Sequence, residues 1–224
     1  MMNIVKLFKR IALIVVLLTG TSLAPAEEID ICSPFMDGKV DESLLSSMLS
    51  AADDGHLFRI QQESSRMGFC VESKLSRIEG NFREFKGGMA LDPAENGTGQ
   101  TMVLIKAESL DTEGDMIERM IKGENFFDVE HYPEVLFVSN GFHWTGPDTA
   151  VLKGDLTLRG ITKPVIFNVT LTALDDNPVK DAQKILVKAT TTINRADFGM
   201  EKLTSLVNSE VQLCMSVEAL KYSS

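Results

Sequence analysis

The chain has 224 residues, enough for one sizeable domain, and its 32 acidic against 22 basic residues give a formal net charge of −10. An acidic surface repels phosphates, so nucleic acid is a poor partner, and the sequence has no basic patch with interleaved aromatic residues. Anionic membrane surfaces are disfavoured for the same reason.

Residues 1–26 have the pattern of a secretory signal peptide. Basic residues between positions 6 and 10 precede an unbroken apolar run over 11–18, and Ala24-Pro25-Ala26 fits a cleavage site. The apolar run is too short for a spanning helix, although an uncleaved membrane anchor is the alternative. We expect export to the periplasm and a mature chain that begins at Glu27, is not embedded in the membrane, and carries 19 basic against 32 acidic residues.

Residues 27–55 form an N-terminal extension with one predicted amphipathic helix. Apolar residues from Val40 to Ala52 recur at helical spacing. Asp41 and Glu42 suit the start of a helix, and Gly55 suits its end. Such a helix must bury its apolar stripe, and its own domain is the expected partner.

Residues 56–222 have the pattern of β-strands in one domain. Apolar and polar side chains alternate along about eight stretches, and a second, short helix is predicted at Asp115–Gly123. The strands are predicted at residues 57–61, 68–74, 77–91 (two short segments), 101–107, 135–139, 149–158, 165–171, 184–194 and 210–219. Because no βαβ alternation occurs, the fold class is antiparallel all-β, either a sandwich or a closed barrel.

The clearest strand pair lies in residues 154–169, which read GDLTLRGITKPVIFNV. Side chains on a strand switch faces at every residue, so each arm has an apolar face. The inward residues would be Leu156, Leu158, Phe167 and Val169. We predict a β-hairpin with its turn over Gly160 to Pro164.

Five motifs occur in a fixed order along the domain. They are G-N-F-R-E-F-K-G (80–87), E-S-L-D-T (108–112), F-F-D-V-E-H-Y-P (126–133), G-D-L-T-L-R-G-I-T-K-P-V (154–165) and I-N-R-A-D-F-G-M (193–200). On these motifs the chain, from about Leu57 to Lys221, resembles the YceI family of lipid- and polyisoprenoid-binding proteins. The resemblance implies an eight-stranded antiparallel lipocalin-like barrel with helical cover, an apolar pore for an isoprenoid or similar amphiphile, and a periplasmic or secreted location.

The sequence departs from the family at two places near the expected head-group end. Members often carry His-Ser before the Phe of the first strand, where this chain has Ser64-Ser65. Members often carry R-D-x-H-L in the helix, where this chain has I-E-R-M-I over 117–121. The resemblance therefore does not predict which head group this chain binds.

The inward faces of the predicted strands supply the candidate ligand contacts. They are Phe69, Val71, Val103, Ile105, Phe127, Val135, Phe137, Leu156, Leu158, Phe167, Val169, Leu213 and Met215. The chain is also rich in methionine, whose flexible side chain suits a cavity that adapts to an oily ligand. We expect a soluble exported protein that binds a polyisoprenoid, quinone or similar long-chain amphiphile, and serves as its carrier. The alternative is a solidly packed barrel that acts as a periplasmic protein-interaction module through residues 27–55.

Arg195 and Asp197, two positions apart on a predicted strand, form a candidate polar pair. The pair would be either a hook for a head group at the barrel mouth or a conformation-fixing contact beside a turn.

The three cysteines, Cys32, Cys70 and Cys214, all lie in the mature chain. An oxidising compartment favours a disulfide, and terminal strands meet when a barrel closes, so we predict Cys32 joined to Cys70 or Cys214. The third cysteine would stay free or pair between chains, which would give a homodimer. No C-x-x-C occurs, so no zinc site is predicted.

Catalysis has little support in the sequence. His56, His131 and His143 stand in turn-like contexts without a nucleophile motif, and no P-loop, H-E-x-x-H or G-x-S-x-G occurs. We expect no enzymatic activity, no catalytic residue, no cofactor and no metal.

Overall fold

A computed structural model describes residues 42–91 and 99–222. The predicted signal peptide (1–26), the first part of the extension and Cys32 lie outside these residues. The helices are α1 (Glu42–Asp53) and α2 (Asp115–Lys122). The strands are β1 (Leu57–Ile60), β2 (Arg66–Ser73), β3 (Arg77–Phe82), β4 (Phe85–Ala90), β5 (Gln100–Lys106), β6 (Leu110–Thr112), β7 (Glu134–Trp144), β8 (Thr149–Leu158), β9 (Ile161–Ala173), β10 (Lys184–Asn194) and β11 (Val207–Lys221).

The eleven strand segments build one closed barrel of eight strands. β1 and β2 both pair with β11, so they act as one strand interrupted at residues 61–65. β3 continues as β4, and β5 continues as β6, because β4 pairs with β5 and β3 pairs with β6. Each remaining strand pairs antiparallel with the next one, and β11 returns to β1 and β2. The predicted eight-stranded antiparallel barrel with one N-terminal and one short inserted helix is confirmed.

One end of the barrel, which we call the α2 end, collects most of the irregular structure. The β2–β3 turn, the segment 113–133 that contains α2, the β8–β9 turn and the segment 195–206 all leave the barrel there. Direct contacts join three of these pieces. Lys74 N–H donates to the carbonyl of Leu206 at 2.9 Å, and the Arg159 guanidinium donates to the carbonyl of Gly199 at 3.3 Å.

The turn of the β8–β9 hairpin is shorter than the sequence predicts. Leu158 pairs with Ile161, which leaves only Arg159 and Gly160 in the turn. Both have positive φ, 52° and 67°, as a type I′ hairpin turn requires. The predicted turn over Gly160 to Pro164 is therefore wrong, because β9 opens with four exposed side chains that hide the alternation.

α1 covers the outer surface of the barrel, not its interior. Its buried residues Leu45, Met48 and Ala52 pack with the outward side chains of Leu57 and Ala90, among others. The same cluster includes Met102, Leu104, Leu136 and Val138, on β5 and β7, and Tyr222. The amphipathic stripe therefore serves the domain's own fold. Neither helix of the described part of the chain is long and apolar enough to span a bilayer.

Candidate functional site

An apolar cavity of about 110 Å³ lies inside the barrel toward the α2 end. Inward side chains of β2, β5, β7, β8 and β11 line it, so strands from opposite sides of the barrel contribute to its wall. Alternation places these side chains inside, so the cavity follows from the same period-two pattern that forms the strands. A second cavity of about 40 Å³ lies toward the other end.

The predicted ligand contacts reach these cavities. Twelve of the thirteen line the larger one: Phe69, Val71, Val103, Ile105, Phe127, Val135, Phe137, Leu156, Leu158, Phe167, Leu213 and Met215. Val169 lines the smaller one. Their position around empty space is a property of the structure, whereas their contact with a ligand remains a prediction.

Sequence reasoning missed several cavity residues. Ile78 and Phe82 alternate inward along β3, so the strand period could have found them. Phe126 and Met200 also line the cavity, but they lie in the irregular segments of the α2 end, where no period identifies an inward side chain.

Two groups of side chains shape the interior. One separates the two cavities, and the other is a cluster of aromatic rings nearer the α2 end. Met67, Val103, Phe137 and Met215 line both cavities and therefore separate them. Nearer the α2 end, the rings of Phe69, Phe82 and Phe127 form a cluster, with centroids 5.6 Å apart for both pairs that include Phe127. The separating group contains two methionines, whose side chains adapt most readily to a new neighbour.

The larger cavity reaches the surface beside α2. Met120 lines it and is 38% exposed, while Ile121, one residue further along α2, is buried against it. Met116, on the preceding turn, is 79% exposed. An apolar route therefore connects the interior with the outside of the α2 end.

Arg195 is the charged residue among the cavity's lining residues, and the protein's own backbone holds it. It is 2% exposed, and its guanidinium donates to the carbonyls of Asn208 at 2.9 Å, Val207 at 3.1 Å and Met200. Its guanidinium carbon also lies 5.7 Å from the centre of the Phe126 ring. Burial lowers the pKa of Arg195 from its usual value. Its three hydrogen bonds join residues 200, 207 and 208 to one side chain, so Arg195 fixes the segment 195–208.

Asp197 does not form the predicted pair with Arg195. Residues Arg195–Phe198 form a 3-10 helix, not a strand, so Asp197 is exposed while Arg195 points inward. The second interpretation given for the pair, a contact that fixes the conformation beside a turn, therefore applies to Arg195 and not to Asp197.

A polar group ties segment 113–133 to the β8–β9 turn. The Asp128 carboxylate accepts from His131 Nδ1 at 2.8 Å and lies 3.9 Å from Arg159. Arg159 also stacks over the ring of Tyr132, 5.9 Å from its centre. The hydrogen bond to Asp128 raises the pKa of His131. These contacts join residues 128–132 to the β8–β9 turn at the α2 end.

Cys70 and Cys214 are free thiols in the structure, on adjacent strands β2 and β11. Cys32 lies outside the described residues, so its predicted disulfide with Cys70 or Cys214 remains a prediction. Within residues 42–91 and 99–222, no group of three His, Cys, Asp or Glu side chains is arranged to hold a metal ion.

A family model described as the YceI-like domain matches residues 58–219, which is the whole barrel apart from its outermost residues. The chain belongs to the YceI-like family. The resemblance seen in the five motifs is thereby confirmed.

The chain is also similar to curated relatives, and it shares its fold with solved structures. A UPF0312 protein of Pseudomonas putida (strain W619) is 36% identical over 146 residues, which cover 65% of this chain and 75% of the relative. The crystal structure of Burkholderia cenocepacia BcnA matches with a TM-score of 0.64 and 24% identity, over 71% of this chain and 98% of that one. A domain from Saccharophagus degradans, described as polyisoprenoid-binding and implicated in plant cell wall breakdown, matches with a TM-score of 0.58 and 15% identity, over 73% and 98%.

Proposed function

We propose that this protein binds the apolar chain of a polyisoprenoid, quinone or similar long amphiphile inside the barrel and acts as its periplasmic carrier. The observation that carries the proposal is the cavity itself, an apolar space in a closed barrel that opens beside α2. The fold neighbour described as a polyisoprenoid-binding domain supports the same class of ligand.

The cavity's chemistry favours recognition of the chain, not the head group. Its lining is apolar apart from Arg195, which already makes three hydrogen bonds to backbone carbonyls. Hiding about 400 Å² of apolar ligand surface would contribute about 10 kcal/mol before the costs of ordering. The polar head then lies at the α2 end, where the exposed Met120 marks the opening.

The ligand enters by displacing side chains. A cavity of about 110 Å³ resembles in size an engineered cavity of about 150 Å³ that binds benzene, so it accepts only a short apolar segment as it stands. Met67, Met120, Met200 and Met215 line it, and their flexible side chains provide the additional space.

The alternative, a solidly packed interaction module, fits the structure less well. The interior contains cavities, and α1 buries its apolar stripe on the barrel's own outer surface. That helix therefore has a partner within the domain.

The test is to purify the protein from its native host, extract it with organic solvent and analyse the extract by mass spectrometry. We expect about one equivalent of an isoprenoid or fatty amphiphile, and uptake of a fluorescent isoprenoid probe by the delipidated protein. Val211→Phe, which fills the cavity, should weaken uptake, whereas Ile166→Phe on the outer face should not. Absence of both bound lipid and probe uptake would disprove the proposal.

A further inference from the structure

Two thiols lie side by side on the outer wall of the barrel. Cys70 is opposite Gln212, and Cys214 is opposite Gly68, so the cysteines occupy diagonal positions on the neighbouring strands β2 and β11. Cys70 is 8% exposed and Cys214 is half-buried. Residues on diagonal positions of neighbouring strands share one face of the sheet, so the two thiols are neighbours on the outer face.

Other side chains hold the Cys70 sulfur in this position. The Arg77 guanidinium donates to Cys70 Sγ at 2.9 Å, and Arg77 itself pairs with Glu79 at 3.0 Å. The Cys70 thiol donates to Gln212 Oε1 at 3.3 Å. A cationic donor on a cysteine sulfur is a setting typical of reactive thiols. Burial and the neighbouring Cys70 raise the pKa of Cys214.

We propose that Cys70 and Cys214 form a reversible dithiol–disulfide pair that reacts with a disulfide-bonded oxidant and links β2 to β11. This pairing differs from the sequence-based expectation, which joined one of the two to Cys32. It requires no distant segment, because both partners are already placed by the barrel's closing strand pair.

The geometry permits the bond after a small adjustment. Diagonal neighbours on adjacent antiparallel strands have Cα atoms about 7–8 Å apart, with their Cβ atoms closer. A disulfide needs a Cα separation of about 4.4–6.8 Å, so β2 and β11 must approach slightly.

The reaction is thiol–disulfide exchange in two steps. The first thiol of the pair to ionise loses its proton and attacks one sulfur of the oxidant, and half of the oxidant leaves as a thiolate that takes up that proton. The second thiol of the pair then loses its proton and attacks the sulfur of the first, and the other half of the oxidant leaves as a thiol. The two cysteines are oxidised by two electrons, and one disulfide oxidant is reduced to two thiols.

The bond would lie directly behind the cavity wall. Phe69 precedes Cys70, and Leu213 and Met215 flank Cys214, and all three side chains line the larger cavity. The exchange is nevertheless measured without any lipid, so its outcome is independent of the proposed ligand binding.

The experiment treats the full chain with oxidised glutathione, blocks free thiols with iodoacetamide and maps peptides without reduction. The expected product is a peptide pair linked through Cys70 and Cys214, formed at a rate independent of protein concentration. In the Cys32→Ser variant, both of the remaining free thiols should disappear from titration with Ellman's reagent.

Two matched variants complete the test. In the Cys32→Ser background, Cys70→Ser and Cys214→Ser should each prevent the intramolecular link and leave one thiol that is either free or bound to glutathione. Since serine occupies nearly the same volume, both variants should fold, and circular dichroism checks this. A main product linked through Cys32 in the wild-type chain, or two persistent thiols in the Cys32→Ser chain, would overturn the proposal.

Discussion

Arg195 illustrates how a single side chain sets the shape of the cavity's opening. Its guanidinium donates to the carbonyls of residue 200, within the β10–β11 connection, and of residues 207 and 208, at the start of β11. The bonds to residues 200 and 207 are buried, so these two carbonyls would otherwise lack a donor. Arg195 therefore holds this connection in place. Because this role requires a guanidinium, the otherwise apolar wall of the cavity contains one charged residue.

Replacing Arg195 should destabilise the fold strongly. Arg195→Met would leave three carbonyls without their donor, and we expect a loss of about 3–5 kcal/mol in the free energy of unfolding, measured by urea denaturation. Arg195→Lys keeps the charge but loses the planar guanidinium. Its free energy of unfolding should therefore lie between those of the wild type and Arg195→Met. Arg83→Met, which breaks only the exposed pair with Asp111, is the control and should change the midpoint little. An unchanged midpoint for Arg195→Met would contradict this role of Arg195.

His131 should titrate above the usual range for histidine. Its imidazole pairs with Asp128 at 2.8 Å, which favours the protonated form and raises its pKa. The pair's stabilising contribution is therefore complete below the unfolded-state pKa and disappears as pH rises through the folded-state pKa. NMR titration of the imidazole checks this, and Asp128→Asn should move the pKa back toward its usual value. Asparagine tolerates the positive φ of 51° at this position, so the backbone stays as it is.

Among the secondary-structure elements, β7 and β8 approach each other closely at Gly154, in the wall of the cavity. A Cβ on Gly154 would lie 2.5 Å from the Val138 carbonyl oxygen and 2.6 Å from the Phe137 ring. Phe137 in turn packs edge-on against Phe167, with centroids 5.3 Å apart. The missing side chain at residue 154 therefore lets two aromatic rings fill the interior.

Gly154→Ala should separate β7 from β8 or displace Phe137. We expect a cost of about 1–3 kcal/mol, typical of overpacking, in thermal or urea unfolding. Gly141→Ala is a matched control on the same strand pair, because its Cβ would meet nothing nearer than His143 Nε2 at 3.7 Å. That control should be neutral or slightly stabilising. Equal effects of the two substitutions would show that the close approach at Gly154 is unimportant.

The strand elements were predictable because a barrel wall has one dry and one wetter face. β8, for example, alternates between buried and less buried residues along its whole length, and its predicted bounds, 149–158, agree with the structure. The failures occur where that contrast is lost. β9 begins with four exposed residues, and the Arg195–Phe198 turn interrupts an otherwise strand-like sequence. Cavity residues such as Met200 and Phe126 depend on tertiary packing of irregular segments, which no local period encodes.

For the molecule as a whole, the interior is two chambers separated by four side chains. The larger chamber has a volume of about 110 Å³ and the smaller one about 40 Å³. A long chain must therefore move at least one of the separating residues. Two of the four separating residues are methionines, Met67 and Met215, and only Met215 is half-buried. Because its side chain is flexible and less tightly enclosed, Met215 is the residue whose displacement costs least.

Affinity should consequently depend on the length of the ligand's chain in a way that Met215 controls. In a series of prenyl or alkyl alcohols, each buried CH₂ contributes about 0.8 kcal/mol, so affinity should rise with length until the larger chamber is full and then level off. Met215→Ala joins the two chambers, so its plateau should begin at a longer chain. Met116→Ala removes a methionine that is 79% exposed and should keep the wild-type plateau. Competition with a fluorescent isoprenoid probe measures each affinity. Identical plateaus for wild type and Met215→Ala would show that the ligand does not pass from one chamber to the other.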